Sequence, residues 1–494
     1  MRQAVVASMA LAGLIACSGD SNHNGSAQTG AALGDSGPVF SAAVTMPAYG
    51  LLDAPKDLDL VIVSIDTLRA DRLPFYGAKH ATGGSADTPW SLSWLAQQGT
   101  VLEQVWAPAG LTLPAFGSFW TGLAPLEHGT TTNHGKVRAK NFALQLAEQG
   151  WVNHAVVSNG VLNPSCGLRR GFQSYQLSTN EQEDQASAKL LAYTGKTVKR
   201  GQRRSLMWAH YMAPHQPYTP KAEFVGTFSK ALDVAGDRET LERLFADPQA
   251  FDAAAREHLR GLYDEEILTA NDYVVEFLSG LDRQYQDAGR GGLLDNAIVV
   301  VMSDHGEELA DHQSYFMHAK SLYRGVTQVP LIVLGGGWPQ GQRQAVSLAL
   351  ADILPMVVFG ERPQPGYSFS SWGSRFFVAR DARWTLVHNP SGDPLGPEAP
   401  PLDVPFRYPQ VALYDRQQDP LEQHDVATVH PEVTRRMLDA MKAWYDDLAI
   451  DGEAPVVELS EDQREQLEAL GYATGSSDGA TDLDRPWSGQ RWKP

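Results

Sequence analysis

Short apolar runs of strand length recur along the chain and alternate with segments of helical periodicity. Residues 58–65 are almost continuously apolar, which predicts a strand buried on both faces. The same pattern predicts strands at 153–158, 205–210, 297–303 and 330–334. Helical spacing occurs between them, at 90–98, 141–149 and 259–281. This alternation predicts an α/β fold, with a mainly parallel central sheet sandwiched by helices.

The pattern changes after residue 368. Short strands are predicted at 376–379, 383–388 and 411–414, separated by turns rich in Pro and Gly, and a helix at 431–448. We therefore expect a main domain at 57–368 and a small α+β C-terminal subdomain at 369–451. Residues 452–494 are rich in Gly, Ser and Asp and predict a partly disordered tail with one charged helix.

The first 17 residues have the pattern of an export signal. An Arg precedes an apolar run, which is too short to span a bilayer comfortably. Its ending, residues 14–17, resembles a bacterial lipobox, which implies that Cys17 is acylated and becomes the first mature residue. The alternatives are an ordinary signal peptide and a short buried helix in which the Cys is accidental. A Ser-, Gly- and Asn-rich stretch at 18–36 follows, and we expect a flexible tether at 18–56. We therefore expect an exported protein, anchored to the outer membrane or cell envelope through lipid, in which Cys166 has no disulfide partner.

Charge limits the class of ligand. Lys and Arg number 40 against 58 Asp and Glu, a net charge of −18. Such an acidic surface disfavours nucleic acid, because few cations are available to replace phosphate counterions. A small anionic substrate is still compatible, since a bound metal ion reverses the local field.

Two acidic clusters directly follow predicted strands. Asp66 ends the first strand, where a carboxylate can reach a metal, although an N-cap of the next turn is an equal alternative. Asp304 and His305 follow the strand at 297–303, and adjacent residues on a turn can face one hard divalent ion. Gly306 permits a tight backbone bend there. The alternative for this cluster is a solvated acidic turn.

A third cluster carries a hydroxyl group. Pro114 suits the first turn of a helix, which places Thr112 at the helix N-terminus, where anions are favoured. A structural N-cap is the alternative for Thr112.

Five ordered segments resemble the sulfatase family of the alkaline-phosphatase superfamily: IDTLRADRLPFYG, TLPAFGSFWTGLAPLEHG, MAPHQPY, SDHGEEL and HAKSLYRGVTQVPLIV. The resemblance covers about residues 58–334, and ALYDRQQDPLEQHDVATVHPEV is similar to the family's C-terminal subdomain. It implies a sulfatase-like catalytic domain at 57–368, and a metal-dependent hydrolase or transferase that acts on an anionic ester.

The resemblance also implies roles for particular residues. Asp66, Asp304 and His305 match metal ligands, and Thr112 matches the nucleophile that also contacts the metal. His215 matches a histidine that contacts the transferred group or protonates the leaving oxygen. Further contacts to the anionic group are implied for His318, Lys320, Asn133 and His134. His210 is interpreted as a packed histidine at a strand end.

Departures from the family point away from sulfate. The resemblance to sulfatases breaks at their C/S-x-P-x-R motif, in which the Cys or Ser is oxidised to formylglycine. This chain has Thr112 at the first position of the motif and Phe116 in place of the Arg. Threonine would oxidise to a ketone, so no formylglycine is expected. The resemblance also breaks at the first motif, where sulfatases have Asp-Asp and this chain has Asp66 and Thr67. A Thr nucleophile resembles instead the phosphoryl-transfer branches, including phosphodiesterases and phosphoethanolamine transferases.

The resemblance implies one divalent ion. Members with two zinc ions carry an Asp four residues before the histidine at 215, where this chain has Tyr211. Mg²⁺ or Mn²⁺ suits the oxygen-rich ligand set, and Zn²⁺ and Ca²⁺ are alternatives. Two other functions are open: a sulfuric ester hydrolase working without formylglycine, and a catalytically degenerate surface binding protein.

Overall fold

The computed structural model describes residues 43–178, 180–247, 249–312, 316–318, 321–373, 376–389 and 409–450. Cys17, Lys320 and the predicted tail lie outside these residues, so the lipid anchor and the role of Lys320 stay predictions. Across the described ranges, no helix is both long and apolar enough to cross a bilayer.

An eight-stranded sheet forms the centre of the fold, in the order β4-β3-β5-β1-β6-β7-β2-β8. Its strands pair in parallel except β7, which runs antiparallel to both β6 and β2. The strands are β1 Asp59–Ile65, β2 Thr100–Trp106, β3 Val152–Val157, β4 Ser174–Leu177, β5 Ser205–Tyr211, β6 Ala297–Met302, β7 Gln328–Gly335 and β8 Gln342–Ala349.

Helices cover both faces of this sheet. They are α1 Leu92–Gln98, α2 Thr112–Thr121, α3 Pro125–His128, α4 Phe142–Glu148, α5 Ala186–Lys199, α6 Arg238–Ala246, α7 Ala253–Asp287, α8 Leu293–Asn296, α9 Arg324–Thr327 and α10 Ile353–Phe359. Leu60 and Ile62 of β1 pack in the same apolar cluster as α2, whereas Val61 and Val63 pack in the cluster that contains α7. The predicted α/β sandwich is therefore confirmed.

Three described strands of the central sheet, β2, β4 and β8, were not predicted from the sequence because their patterns are mixed. β2 carries half-buried Glu103 and Gln104 at its middle, where its pairing with β8 shifts register. β4 is half-buried throughout, and the first half of β8 is mostly exposed. Edge strands need no continuous apolar run, so apolar runs alone identified only the central strands.

A second sheet follows, with four antiparallel strands in the order β12-β11-β10-β9. Its elements are β9 Ser368–Trp372, β10 Phe376–Arg380, β11 Trp384–His388, β12 Val411–Asp415 and α11 Pro431–Asp447. This confirms the small α+β subdomain. The Ser370 hydroxyl donates to the carbonyl oxygen of Ala107 at 2.7 Å, and Ser371 N donates to the carbonyl oxygen of Pro108 at 2.8 Å. The subdomain thus holds the segment that leads from β2 to α2.

Truncation inside the sheet should be far more costly than truncation at the surface. We expect Ile62→Ala to lower the free energy of unfolding by about 2–5 kcal/mol, because Ile62 is fully buried beside α2 and leaves a cavity. Val225→Ala is the control, since Val225 is 57% exposed and should change stability by under about 0.5 kcal/mol. Urea unfolding followed by circular dichroism measures both, and equal losses would contradict the described packing.

Candidate active site

Neighbouring parallel strands bring the predicted metal ligands together. Asp66 follows β1, and Asp304 and His305 follow β6, which pairs with β1 in parallel. One oxygen from each carboxylate and one ring nitrogen of His305 lie within 4.8 Å of one another, and all three residues are fully buried. The carboxyl ends of parallel strands share one edge of the sheet, which explains the convergence.

Only one oxygen of each of the two carboxylates, Asp66 and Asp304, accepts a hydrogen bond from a described residue. Asp304 Oδ1 accepts from Thr67 N at 3.3 Å, and Asp66 Oδ2 accepts from Asn159 Nδ2 at 2.6 Å. Asp66 Oδ1 and Asp304 Oδ2 have no hydrogen-bond donor among the described residues. Two buried carboxylate oxygens without donors fit the ligand set of a divalent cation.

The ring of His305 completes this ligand set. Its Nδ1 donates to the carbonyl oxygen of Gly306 at 2.9 Å, which leaves Nε2 as the acceptor in the neutral ring. Nε2 lies 3.5 Å from Asp304 Oδ2 and 4.0 Å from Asp66 Oδ1. Gly306 is required here because of a close approach: an added Cβ would lie 2.1 Å from the carbonyl oxygen of Gly325.

The pKa values of these groups reflect burial and the groups that surround them. Burial alone would raise the pKa of Asp66, but the nearby imidazoles of His210 and His215 hold it below its usual value. Burial and the charge of Asp66 raise the pKa of Asp304 to about 6. Burial lowers the pKa of His305, yet the two carboxylates raise it more. Such a cluster retains a proton that a bound cation would displace.

Thr112 lies beside these ligands at the start of α2. Leu111 takes the N-cap position, so Thr112 does not cap the helix, and Pro114 is in the first turn as predicted. Thr112 Oγ1 lies 3.4 Å from His305 Nε2 and 3.4 Å from Asn159 Nδ2. The helix N-terminus is less open to anions than expected, since Leu113 N donates to Asn133 Oδ1 at 2.9 Å and Pro114 has no N–H.

Asn159 is a site residue that the sequence reasoning missed. It caps a short 3₁₀ helix after β3, where its Oδ1 accepts from Val161 N at 2.9 Å. That bond assigns the amide orientation, so that Nδ2 faces both Asp66 and Thr112. An Asn after a strand is an ordinary turn residue, and nothing in the sequence marked this one.

Three imidazoles and one carboxylate lie close together beside Thr112 and the predicted metal ligands; they belong to His215, His305, His318 and Glu307. The His318 ring lies 4.8 Å from that of His215 and 4.7 Å from that of His305, centroid to centroid. His318 Nδ1 is 2.9 Å from Oε1 of Glu307, and His215 Nδ1 donates to the carbonyl oxygen of Gln216 at 2.5 Å. Burial and the charge of His318 lower the pKa of His215 to about 4, and burial raises the pKa of Glu307 to about 7.

The structure thus brings most of the predicted site residues into one place: Asp66, Thr112, His215, Asp304, His305 and His318. Asn133 is adjacent, through its bond to Leu113 N, and its Nδ2 is buried without an acceptor among the described residues. His134 is only half-buried. His210 is packed as expected, but its Nε2 also lies 3.3 Å from Asp66 Oδ2. Besides Asn159, the sequence reasoning missed Glu307, which it treated as part of an acidic turn.

The sequence matches the Sulfatase family over residues 59–358, which is more than half of the chain. The chain belongs to the sulfatase family. This confirms the family resemblance that the motifs carry.

Two kinds of relative accompany this sulfatase assignment. Arylsulfatase K of Xenopus laevis is 25% identical over 222 residues, 38% of this chain and 37% of the relative. The chain thus spans about a third of the length of such curated relatives. A 2-O GAG sulfatase shares the fold with a TM-score of 0.59 and 14% identity, over 80% of this chain and 95% of that one. The phosphonate monoester hydrolase of Agrobacterium radiobacter does so with a TM-score of 0.56 and 18% identity, over 86% and 99%.

Phe116 occupies the position that corresponds to the Arg of the C/S-x-P-x-R motif. Its ring is fully buried, with its centroid 5.2 Å from that of Trp208 and 5.1 Å from that of His210. This chain therefore places an aromatic side chain, rather than a cation, one helical turn after Thr112.

Cation binding at this cluster should depend on pH. We expect the affinity for Mn²⁺ to fall as pH is lowered from about 8 to about 5, because Asp304 takes up a proton with a pKa of about 6 and His305 becomes positively charged. Isothermal titration calorimetry at several pH values measures this. Asp304→Ala is the control and should bind Mn²⁺ weakly at every pH. An affinity that does not change over this range would contradict the assignment of these ligands.

Proposed function

We propose that this protein is a metal-dependent phosphoesterase or phosphotransferase that attacks phosphate mono- or diesters with the hydroxyl of Thr112. The observation that carries this proposal is the position of Thr112 Oγ1, which lies 3.4 Å from His305 Nε2 within the carboxylate–histidine cluster. The aromatic surroundings of Phe116 support it, because they leave no cation in the place of the sulfatase Arg. The lipid on Cys17 would keep the enzyme at the cell envelope.

The metal site would consist of Asp66, Asp304, His305 and Thr112. Two carboxylate oxygens, one hydroxyl and one imidazole form an oxygen-rich set, which suits Mg²⁺ or Mn²⁺ and admits Zn²⁺ or Ca²⁺. When bound, one divalent cation would lower the pKa of the Thr112 hydroxyl and offset the charge of the anionic ester.

The chain's own residues account for the remaining steps. Thr112 Oγ releases its proton to solvent and forms a bond to phosphorus, while the bond from phosphorus to the leaving oxygen breaks and that oxygen takes up a proton from His215. Asn159 Nδ2 donates toward Thr112 Oγ1, which holds this oxygen in place and stabilises negative charge on it. Water or an acceptor alcohol then attacks phosphorus, the bond between phosphorus and Thr112 Oγ breaks, and Thr112 Oγ takes up a proton from solvent.

His215 is the proton carrier of this proposal. Its Nδ1–H donates to the carbonyl oxygen of Gln216, so Nε2 is the nitrogen that exchanges a proton. Its pKa of about 4 means that the ring is neutral before an anion arrives. An anionic ester beside it raises that pKa, so the ring becomes protonated and can donate to the leaving oxygen. Nε2 then accepts a proton from the attacking water.

A sulfuric ester hydrolase is the second candidate, and the relatives named as arylsulfatase and GAG sulfatase favour it. We rank it lower because an unoxidised threonine would form a sulfate ester that cannot be released by elimination, as an aldehyde hydrate can. The binding-protein alternative ranks lowest, because the nucleophile, the acidic cluster and the histidines converge on one buried site.

Removal of the nucleophile separates these functions. We expect the purified protein with Mn²⁺ to hydrolyse aryl phosphate mono- or diesters faster than aryl sulfates, and Thr112→Ala to lower kcat by at least about 10³-fold, since the covalent path is lost. Release of nitrophenol measures both. Thr132→Ala, a half-buried threonine outside the cluster, is the control and should keep full activity. Preference for sulfate would favour the second candidate, and a Thr112→Ala enzyme with full activity would refute the role of Thr112.

The leaving group should reveal the role of His215. We expect His215→Gln to lower kcat/KM by about 10²–10⁴-fold for alkyl phosphate esters and much less for nitrophenyl esters, whose good leaving groups need no proton. His154→Gln, at a buried histidine of β3 that contacts Thr197, is the matched control. Equal losses for both ester classes would contradict proton transfer by His215.

A further inference from the structure

A chain of buried polar contacts reaches Asp66 from behind, through residues that neither the ligand set nor the proposed steps include. Trp208 Nε1 is 2.8 Å from Ser64 Oγ, Ser64 Oγ is 3.0 Å from His210 Nδ1, and His210 Nε2 is 3.3 Å from Asp66 Oδ2. All four side chains are fully buried. Ser64 lies on β1, and Trp208 and His210 lie on its parallel neighbour β5.

The donor and acceptor roles along this chain follow from its ends. An indole N–H can only donate, so Ser64 Oγ accepts from Trp208. The single proton of the hydroxyl then has two acceptors, His210 Nδ1 at 3.0 Å and the carbonyl oxygen of Ala209 at 3.4 Å. Donation to the nearer Nδ1 places the ring proton on Nε2, facing the carboxylate. The other tautomer would set two lone pairs against each other at 3.3 Å.

We infer that His210 is a positioning residue for the metal site, which fixes the Asp66 carboxylate so that Oδ1 alone faces the cation. Asp66 Oδ2 accepts from Asn159 Nδ2 and lies 3.3 Å from His210 Nε2, whereas Oδ1 has no donor among the described residues. Donors behind a ligating carboxylate orient it and raise metal affinity. The rings of Phe116 and His210 pack in a T-shaped contact with an interplanar angle of 85°, which limits rotation of the His210 ring.

This inference rests on the metal dependence of the proposed function, but not on the class of ester. It is therefore tested by Mn²⁺ binding to the full chain, with titration calorimetry or the electron paramagnetic resonance signal of free Mn²⁺, rather than by turnover. We expect His210→Phe, which keeps a planar ring beside Phe116, to weaken Mn²⁺ binding about 10- to 100-fold. His210→Gln keeps an N–H donor near the position of Nε2 and should restore affinity to within about threefold of the unchanged protein.

Two further variants separate positioning from folding. His154→Phe removes another buried strand histidine, which bonds to Thr197 rather than to the site, and should leave Mn²⁺ affinity unchanged. Ser64→Ala leaves the His210 ring in place but removes the donor to Nδ1, and should weaken binding several-fold. Melting temperatures in EDTA report whether each variant folds. Should His210→Phe not fold, the comparison of Ser64→Ala with the unchanged protein carries the test.

The outcomes are distinct. Normal Mn²⁺ affinity in folded His210→Phe, or in Ser64→Ala if His210→Phe does not fold, would overturn the inference and leave the proposed function intact. Complete loss of binding in His210→Gln, as in Asp66→Ala, would make His210 a ligand and would also overturn it. An unchanged protein that binds no divalent cation would overturn both proposals. Weakened binding in His210→Phe with recovery in His210→Gln supports the inference, whichever ester is the substrate.

Discussion

The site depends on two carboxylates that are buried side by side. Asp66 and Asp304 end adjacent parallel strands and are fully withdrawn from water, with one oxygen of each lacking a donor among the described residues. Burial of two like charges is strongly unfavourable unless opposite charge or hydrogen bonds offset it. Here the offset comes from the amide of Thr67, from Asn159, and from the imidazoles of His210 and His305. The partial compensation leaves a centre that favours a cation.

The small C-terminal sheet supports this centre from outside. Ser370 and Ser371 bind the backbone just before α2, the helix that begins with Thr112. The carboxylate of Glu422 accepts from Arg324 N at 2.7 Å and from the Thr385 hydroxyl at 2.5 Å, which fastens the subdomain to the start of α9. The subdomain therefore contacts the main domain near both Thr112 and the segment after His318, although it contributes no described ligand.

Sequence predicted the site where chemistry and strand position coincide. Asp66, Asp304 and His305 directly follow apolar runs that form β1 and β6, so their convergence follows from parallel pairing alone. Asn159 and Glu307 could not be found in this way. Asn159 both caps a short helix and bonds to Asp66, and only the first role has a sequence pattern. The bond from Glu307 to His318 depends on how a loop folds back, which periodicity does not describe.

The edge strands were missed for a different reason. β4 and β8 are partly exposed, so their polar residues are compatible with a loop as well as with a strand. The place of β4 in the sheet is set by its pairing with β3, and the place of β8 is set by its pairing with β2. Central strands are defined by their own composition, whereas edge strands are defined by the strands beside them.

The buried ring of Phe116 has a consequence for the exchange of one mechanism for the other. Its contacts with Trp208 and His210 mean that an arginine introduced at this position would place a guanidinium among packed aromatic rings. Substitution at position 116 alone would therefore not reproduce the arginine of the formylglycine enzymes, because the neighbouring rings would have to be replaced together with it.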